Sequence, residues 1–364
     1  MIRLPISIGE AVDKLTILDI KRTRVTDKER LVFCNREYEL LFTELKDIVD
    51  KFKFYYDKLL EVNDLIWAMQ DEIRLTESPK PLKCIDILDM NDVRCRIKDI
   101  INRLSVSSIR EVKGYPKRTA LFLSHMGLGD HIGMVGAVNY LSFRYDEIHV
   151  ACIPHYEKTL TSIYANNPLV KILPLNLSKI VGYYTTNQWQ WVAEVNSLVP
   201  TTSYTNIYKS GILKQNSFIL SSFPDGFYWD INLDPEIRRT YFHIANPNES
   251  IELYSHIKDK EYFVIHEKSS NKSVSLVSWD ISTTLTIDPN ANHYEVTHPW
   301  YELAEKFVNQ PFLHYIDTIK HASEIHIVDS SFYCLSCFLK TDPKVKHCYA
   351  RDTGKVNTGY KFVC

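Results

Sequence analysis

The feature that most limits the possible folds is an alternation of short apolar segments with helical segments from Gly114 onwards. Segments 118–124 and 147–152 have the length of strands, and a stretch with helical spacing of apolar residues follows each of them. Strands that alternate with helices through short connections predict a parallel sheet covered by helices. The alternation starts again after residue 233, so the sequence predicts an α/β protein with two Rossmann-like domains, over 114–232 and 233–364.

A different pattern precedes these domains, and it predicts an α-helical N-terminal region over residues 1–113. Ser7 with Glu10, and Thr26 with Glu29, have the spacing of capping boxes. Apolar residues that recur at three- and four-residue steps then predict one stripe on a long helix: Tyr38, Leu41, Leu45, Ile48, Phe52, Tyr55 and Leu59. The region has no convergent polar cluster, so we expect it to serve in packing or in homodimer formation rather than in catalysis.

Charge and composition exclude several classes of protein. The 43 basic and 45 acidic side chains give no excess of positive charge, so we expect no nucleic acid partner. The first ten residues do not resemble a signal peptide, and no apolar run has the length of a transmembrane helix, which predicts a cytoplasmic protein without a transmembrane segment. The eight cysteines then predict reduced thiols, and we interpret Cys334-x-x-Cys337 as core packing.

The first candidate site is a glycine-rich loop that follows the first predicted strand and opens a helix. Gly127 and Gly129 would let the backbone approach a ligand, outside the carboxyl end of the strand. Asp130 would suit a general base for an incoming hydroxyl, and His131 is the neighbour that could replace it. Alternatively, Asp130 only caps the helix that follows. The spacing differs from G-x-G-x-x-G, which disfavours a nicotinamide cofactor.

Two further loops follow predicted strands of the second domain. One of them offers cations and hydroxyls to a diphosphate group: Lys268, Ser269, Ser270 and Lys272. It could equally be an exposed polar loop. In the other, Asp329, Ser330 and Ser331 stand where a strand leads into a helix, and the serines either bind an anion or cap the helix. We expect both loops to face the Asp130 loop across the cleft between the domains.

A polar and aromatic segment around His293 and His298 is the one candidate for a metal site. The two histidines are five residues apart, and no third ligand is near them in the sequence. We therefore expect no metal and no other cofactor.

Gly129-Asp130, the Lys268 loop and the Asp329-Ser330-Ser331 turn together resemble those of glycosyltransferases of the GT-B architecture. Among these, the pattern over about residues 117–350 is similar to the ADP-heptose:lipopolysaccharide heptosyltransferase family. The resemblance implies that Asp130 is the base and that Lys268 contacts the donor phosphates. The opening segment Ile6–Glu10, with Asp13-Lys14 and Ile20-Lys21, also resembles an uncharacterised bacterial family found beside polysaccharide genes.

Together, these expectations predict an enzyme of polysaccharide biosynthesis. It would transfer a hexosyl or heptosyl group from a nucleotide-diphosphate donor to a hydroxyl of a glycan or other acceptor, with inversion. The domain at 114–232 would bind the acceptor, and the domain at 233–364 would bind the donor. Two alternatives remain: a nucleotide-sugar epimerase of the same architecture, and a non-catalytic protein that binds nucleotide sugars or glycans.

Overall fold

The structure is a computed structural model, and part of the chain is described in it. The described residues are 5–75, 81–111, 114–124, 127–176, 195, 197–211, 223–269, 273–276, 281–339, 341 and 345–349. Two compact units divide the chain. Unit 1 comprises Met1–Ala120, Asn139–Ile148 and Asn166–Lys171, and unit 2 comprises Leu121–Val138, His149–Ala165 and Ile172–Cys364. The domain boundaries at residues 113 and 232 stay a prediction.

Four long helices make up most of unit 1: α1 (Ile8–Arg24), α2 (Lys28–Lys51), α3 (Lys53–Leu75) and α4 (Pro81–Leu104). The Ser7 hydroxyl accepts a hydrogen bond from the Glu10 amide, as the first capping box predicts. At the second helix the prediction is wrong by one residue, because the Asp27 carboxylate caps α2 instead of Thr26. Asp27 accepts from the amides of both Glu29 and Arg30, which leaves two fewer unsatisfied donors in the first turn.

The long apolar helix of the prediction is divided into α2 and α3 at Phe52. The Phe52 amide still donates to the Ile48 carbonyl, but its φ of −113° and ψ of 34° are not helical. Of the predicted stripe, Leu45, Tyr55 and Leu59 are buried. Val32, Phe33 and other apolar side chains of these helices are exposed, and the expected homodimer stays a prediction.

A buried ion pair ties the helices of unit 1 together. The Asp13 carboxylate on α1 is 1% exposed and accepts hydrogen bonds from Arg94 on α4 and from Asn63 on α3, each at 2.8 Å. A second guanidinium nitrogen of Arg94 also contacts Asp13. Removing one partner of a buried ion pair destabilises the fold, because it leaves the other charge buried without compensation. We therefore expect Asp13 and Arg94 to contribute to stability as a pair.

The strands of the first sheet, sheet A, are β1 (Thr119–Leu123), β2 (Glu147–Cys152), β3 (Val170–Pro174) and β4 (Asn206–Lys209). They lie in the order β3-β2-β1-β4. The connecting helices include α5 (Leu128–Gly133), α6 (Val135–Ser142) and α7 (Glu157–Ile163). In unit 2, Leu121, Leu123 and Ala151 of this sheet are buried in one apolar cluster with Leu175 and Val199.

The second sheet, sheet B, lies in unit 2 and contains β5 (Tyr262–His266), β6 (Leu285–Ile287), β7 (Glu324–Val328) and β8 (Val345–Tyr349). The order is β6-β5-β7-β8, and each neighbouring pair is parallel. The helices of this part of the chain are α8 (Phe223–Trp229), α9 (Ile237–Thr240), α10 (Asn248–Ser255), α11 (Tyr301–Glu305), α12 (Ile316–Lys320) and α13 (Ser331–Ser336).

The predicted α/β class is confirmed, with two parallel sheets and many helices. The sequence pattern predicts strands at 118–124, 147–152, 169–173, 262–265, 325–328 and 346–349, which are the positions of β1, β2, β3, β5, β7 and β8. It does not indicate β4 or the short β6. The finer assignment to the GT-B architecture stays a proposal. Within the described residues, no helix combines the length and apolar character that crossing a membrane requires.

We predict that Asp13→Ala lowers the free energy of unfolding by about 3–5 kcal/mol, because the substitution leaves Arg94 partly buried without its counter-charge. Urea denaturation followed by circular dichroism measures this effect. The matched control is Asp50→Ala, which breaks an exposed pair with Lys46 on α2 and should cost less than about 1 kcal/mol. Equal losses in the two variants would contradict the structural role of Asp13.

Candidate functional site

The candidate loops of the sequence follow strands at which the strand order reverses. In sheet A the order reverses between β1 and β4, and in sheet B between β5 and β7. The glycine loop follows β1, the Lys268 loop follows β5, and the Asp329 turn follows β7. Open parallel sheets bind ligands outside the carboxyl ends of the strands at such reversal points. The topology therefore marks these loops as a candidate ligand site.

In the first loop, the Asp130 carboxylate lies over Gly127. Gly127 is the N-cap of α5, and a Cβ atom added there would be 2.6 Å from Asp130 Oδ2. Gly127 therefore leaves space that the carboxylate of Asp130 occupies. Asp130 is buried, in the first turn of the helix, where negative charge is stabilised. This position is compatible with both interpretations of Asp130, as a helix-terminal residue and as a base.

His131 is enclosed in the interior of unit 2, with 2% of its surface exposed. Its Nδ1 lies 3.4 Å from the Ser124 hydroxyl, and its buried Nε2 has no hydrogen-bond partner among the described residues. Burial lowers the pKa of His131 to about 4, so the imidazole is neutral at pH 7. With both ring nitrogens enclosed, His131 is poorly placed to take a proton from a substrate hydroxyl.

Gly129 brings the first loop into contact with the turn that follows β7. A Cβ atom at Gly129 would be 3.2 Å from Cys334 Sγ and 3.6 Å from the Ser331 Cα on α13. A side chain at this position would require Cys334 to move by a few tenths of an ångström. Burial raises the pKa of the Cys334 thiol, which is therefore protonated and unreactive at pH 7.

Ser330 is the N-cap residue of α13, but its side chain does not cap the helix. The hydroxyl instead contacts Nδ1 of His266, the last residue of β5, at 3.1 Å. Burial lowers the pKa of His266 to about 4. Asp329 is half-buried, and its amide donates to the Tyr349 carbonyl of β8. The ends of β5, β7 and β8 are thus joined by contacts that involve this turn.

Backbone contacts join the two described sides of the Lys268 loop. Lys268 pairs with Ser273 in an antiparallel bridge, and the Val274 amide donates to the Glu267 carbonyl at 3.0 Å. The Lys268 side chain is exposed, whereas Ser269 is buried. Ser270 and Lys272, which the sequence also assigns to this site, lie outside the described residues. Lys268 is therefore the described cation of this loop that a ligand can reach.

A cluster that the sequence analysis missed lies at the ends of β5 and β6. Nε2 of His293 is 3.0 Å from Asp288 Oδ2 and 3.9 Å from Glu267 Oε2. The hydrogen bond to Asp288 raises the pKa of His293. His298, the expected companion of His293, instead accepts a hydrogen bond from the Trp300 amide and stacks on Tyr294. The sequence signal was limited to Glu267, which follows the predicted strand β5, because the short strand before Asp288 was not predicted.

Unit 1 has a pocket of about 430 Å³ lined by charged residues. Lys98 pairs there with Glu10 and Glu111, Arg96 pairs with Asp146, and Lys117 pairs with Glu147. Because basic and acidic side chains of the lining neutralise one another, the pocket has no strong preference for an anion, and the loops of unit 2 remain the candidate site.

Comparison with known proteins gives a family match for the N-terminal region. Residues 2–123 match a family of unknown function, DUF6165, which supports the expected resemblance of this segment to an uncharacterised family. No curated protein matches the chain.

Two solved structures show a distant similarity to this chain. One is described as the dodecameric iron-containing heptosyltransferase TibC in complex with ADP-D-β-D-heptose, with 12% identity, a TM-score of 0.38, and coverage of 67% of this chain and 61% of that one. The other is the iron-containing dodecameric glycosyltransferase TibC from enterotoxigenic E. coli H10407, with 13% identity, a TM-score of 0.37, and coverage of 66% and 62%. The chain thus spans about three fifths of the TibC chains.

These descriptions correct one expectation. The sequence predicts no metal and no other cofactor, but both of these glycosyltransferase structures are described as iron-containing. Likeness to this class of enzyme therefore gives no ground for expecting the absence of a metal.

We predict that acid destabilises the protein through His131. His131 has a pKa of about 4 in the folded protein, whereas its ordinary pKa of 6.5 applies in the unfolded chain. As the pH falls below 6.5, the unfolded state therefore binds more protons than the folded state, and the free energy of unfolding decreases. This group should remove about 1.3 kcal/mol of stability between pH 7.5 and 5.5. Urea titrations at the two pH values should show that loss diminished in His131→Asn and unchanged in the exposed control His256→Asn. The same pH dependence in His131→Asn and wild type would contradict the prediction.

Proposed function

We propose that this chain is a glycosyltransferase whose donor site is formed by the loops after β1, β5 and β7. The observation that carries the proposal is that both sheets place their candidate loops at strand-order reversals. The contact of Gly129 with α13 supports it further, because it joins the Asp130 loop to the Ser330-Ser331 turn within unit 2. The donor is a nucleotide-diphosphate sugar, and the acceptor is a hydroxyl of a glycan or another molecule.

The residues that follow β1, β5 and β7 are best suited to binding the diphosphate part of the donor. The exposed ammonium group of Lys268 can neutralise the charge that develops on the leaving diphosphate. Ser331 is half-exposed at the start of α13 and offers a hydroxyl, while the glycines of the first loop allow backbone amides to approach. Ser269 and Ser330 are buried, and the contact of the Ser330 hydroxyl with His266 holds the Asp329 turn in position.

Asp130 is the proposed base. Its carboxylate takes the proton of the acceptor hydroxyl while the hydroxyl oxygen attacks the anomeric carbon of the donor sugar. The bond from that carbon to the diphosphate oxygen breaks, and the diphosphate leaves with the electron pair. A single displacement inverts the configuration at the anomeric carbon. The protonated Asp130 then returns its proton to water.

The proposal also gives a role to each of the three predicted regions of the chain. Residues 233–364 supply the donor-binding loops after β5 and β7, and residues 114–232 bind the acceptor and add the glycine loop after β1 to the donor site. The helical region at 1–113 serves in association of two chains, for which the exposed apolar side chains of α2 supply a suitable surface.

We predict that Lys268→Ala weakens binding of the nucleotide sugar and of the free nucleoside diphosphate by about 10- to 100-fold, since one charge-assisted contact is lost. Thermal-shift screening of UDP-, GDP-, ADP- and dTDP-sugars identifies the donor, and calorimetry gives its affinity. Binding of the nucleoside without phosphates should not change.

The matched control for this experiment is Lys260→Ala. Lys260 is also exposed, but it precedes β5 and so lies at the opposite end of the strand from Lys268. Unchanged diphosphate binding in Lys268→Ala, or equal weakening in both variants, would contradict the assignment of the donor phosphates to this loop.

We predict that Asp130→Asn lowers the rate of sugar transfer by about 10²–10⁴-fold, with donor affinity within a few-fold of wild type. Asparagine keeps the shape of the side chain and any helix-capping role, but it cannot take the proton. Release of nucleoside diphosphate, with and without glycan acceptors, measures the rate.

Normal transfer by Asp130→Asn would show that Asp130 only stabilises the helix. The same assay separates the alternatives. Isomerisation of the donor without acceptor identifies an epimerase, and donor binding without any turnover identifies a non-catalytic binding protein.

A further inference from the structure

Glu267, Asp288 and His293 form a cluster of three side chains that could bind a metal ion. Glu267 directly follows β5, Asp288 directly follows β6, and His293 lies in the loop between β6 and α11. β5 and β6 are parallel, and Val264 pairs with Ile287, so Asp288 follows β6 at the same edge where Glu267 follows β5. His293 comes five residues after Asp288 and returns to the end of β6. The sheet thus fixes the positions of Glu267 and Asp288, and the loop after β6 supplies His293.

We propose that Glu267, Asp288 and His293 form a binding site for a divalent first-row transition-metal ion. One ligand atom from each residue lies within 4.8 Å of the other two. Ligand atoms that lie about 2.0–2.2 Å from a common ion are about 2.8–3.6 Å apart in octahedral or tetrahedral geometry. The distance of 3.0 Å from His293 Nε2 to Asp288 lies within this range, and the distance of 3.9 Å to Glu267 is slightly longer, so a small side-chain movement of Glu267 closes the site.

The two carboxylates are held for this purpose by groups outside the cluster. Asp288 Oδ1 accepts from the Asn290 amide at 2.8 Å, which leaves Oδ2 directed at His293. Glu267 Oε1 accepts from the Leu276 amide, and Oε2 is the atom nearest to His293. Each carboxylate therefore has one oxygen fixed by the backbone and the other turned toward a common centre. Such outer hydrogen bonds are what orients the ligands in metal sites.

The donor set and its burial indicate the class of ion. An imidazole nitrogen with two carboxylate oxygens suits Zn²⁺, Co²⁺, Mn²⁺ or Fe²⁺ better than Ca²⁺ or Mg²⁺, which prefer oxygen ligands alone. The Asp288 side chain is 2% exposed, so its charge needs a nearby compensating charge. The Glu267 and His293 side chains are each 20% exposed, which leaves access for an ion and for a water molecule as a further ligand.

The test measures metal binding by the whole protein without any nucleotide. After treatment with EDTA and dialysis, the protein is titrated with Co²⁺ and with Zn²⁺ by calorimetry, and the Co²⁺ absorption spectrum is recorded. We expect one Co²⁺ per chain at a site without the thiolate-to-cobalt charge-transfer band, which distinguishes this site from binding by cysteines. Binding should also raise the Tm, because the ion joins the ends of β5 and β6.

Asp288→Asn and His293→Gln should each weaken binding at this site by more than about 100-fold, since each removes a direct ligand. His298→Gln is the matched control and should bind as wild type, because His298 is outside the cluster. Tm values in EDTA show that each variant is folded, and His293→Gln serves if Asp288→Asn does not fold.

Two results would overturn the proposal: no nitrogen- and oxygen-ligated ion in the wild type, or equal binding by wild type, Asp288→Asn and His293→Gln. Lys268→Ala should retain the ion. A failure of donor binding with intact metal binding would therefore count against the proposed function and leave the metal site standing.

Discussion

The parallel pairing of β5 with both β6 and β7 is the constraint on which the chemistry of unit 2 depends. It places the carboxyl ends of three strands at one edge, where Glu267, Lys268, Asp288 and Asp329 follow directly. Most residues of β5, β6 and β7 are apolar and buried, and the candidate polar residues of this edge lie just beyond the strand ends. The polar residues of this edge are therefore close in space although they are far apart in the chain.

Unit 1 uses buried polar groups differently. The Asp13 carboxylate is enclosed by Arg94 and Asn63, and so one carboxylate links three helices. Such a group is costly to bury, but its removal is more costly still, because the guanidinium loses its partner. In the described part of the chain, this unit provides shape and helix registry, while the candidate chemistry lies in unit 2.

The sequence predicted the fold class because strand and helix periodicities differ. Of the eight strands among the described residues, six were indicated by apolar runs such as 119–123. Two strands were missed for physical reasons. β6 has three residues, and β4 is four residues long and half-buried, so neither gives a clear apolar run. The division of one helix into α2 and α3 at Phe52 has no proline or glycine to mark it, and the apolar spacing continues across it.

The sequence identified those residues of the candidate site that come shortly after an apolar strand. Asp130, Lys268 and Ser330 were identified from their place after apolar strands, and the structure puts Gly129 of the first loop against α13. The burial of His131 and the contact of Ser330 with His266 could not be predicted, because they depend on packing between distant segments. The same holds for Glu267 and Asp288, which meet only because β5 and β6 are neighbours.

Hydrogen–deuterium exchange with and without a saturating nucleoside diphosphate tests the central claim most directly, since it reports every loop at once. We expect slower exchange together in the segments after β1, β5 and β7, around Leu128, Lys268 and Ser331, with no change at Glu261 and Ser323 before β5 and β7. Protection confined to α1–α4, or no protection at these three strand ends while the ligand is bound, would contradict a donor site at the edge of the sheets.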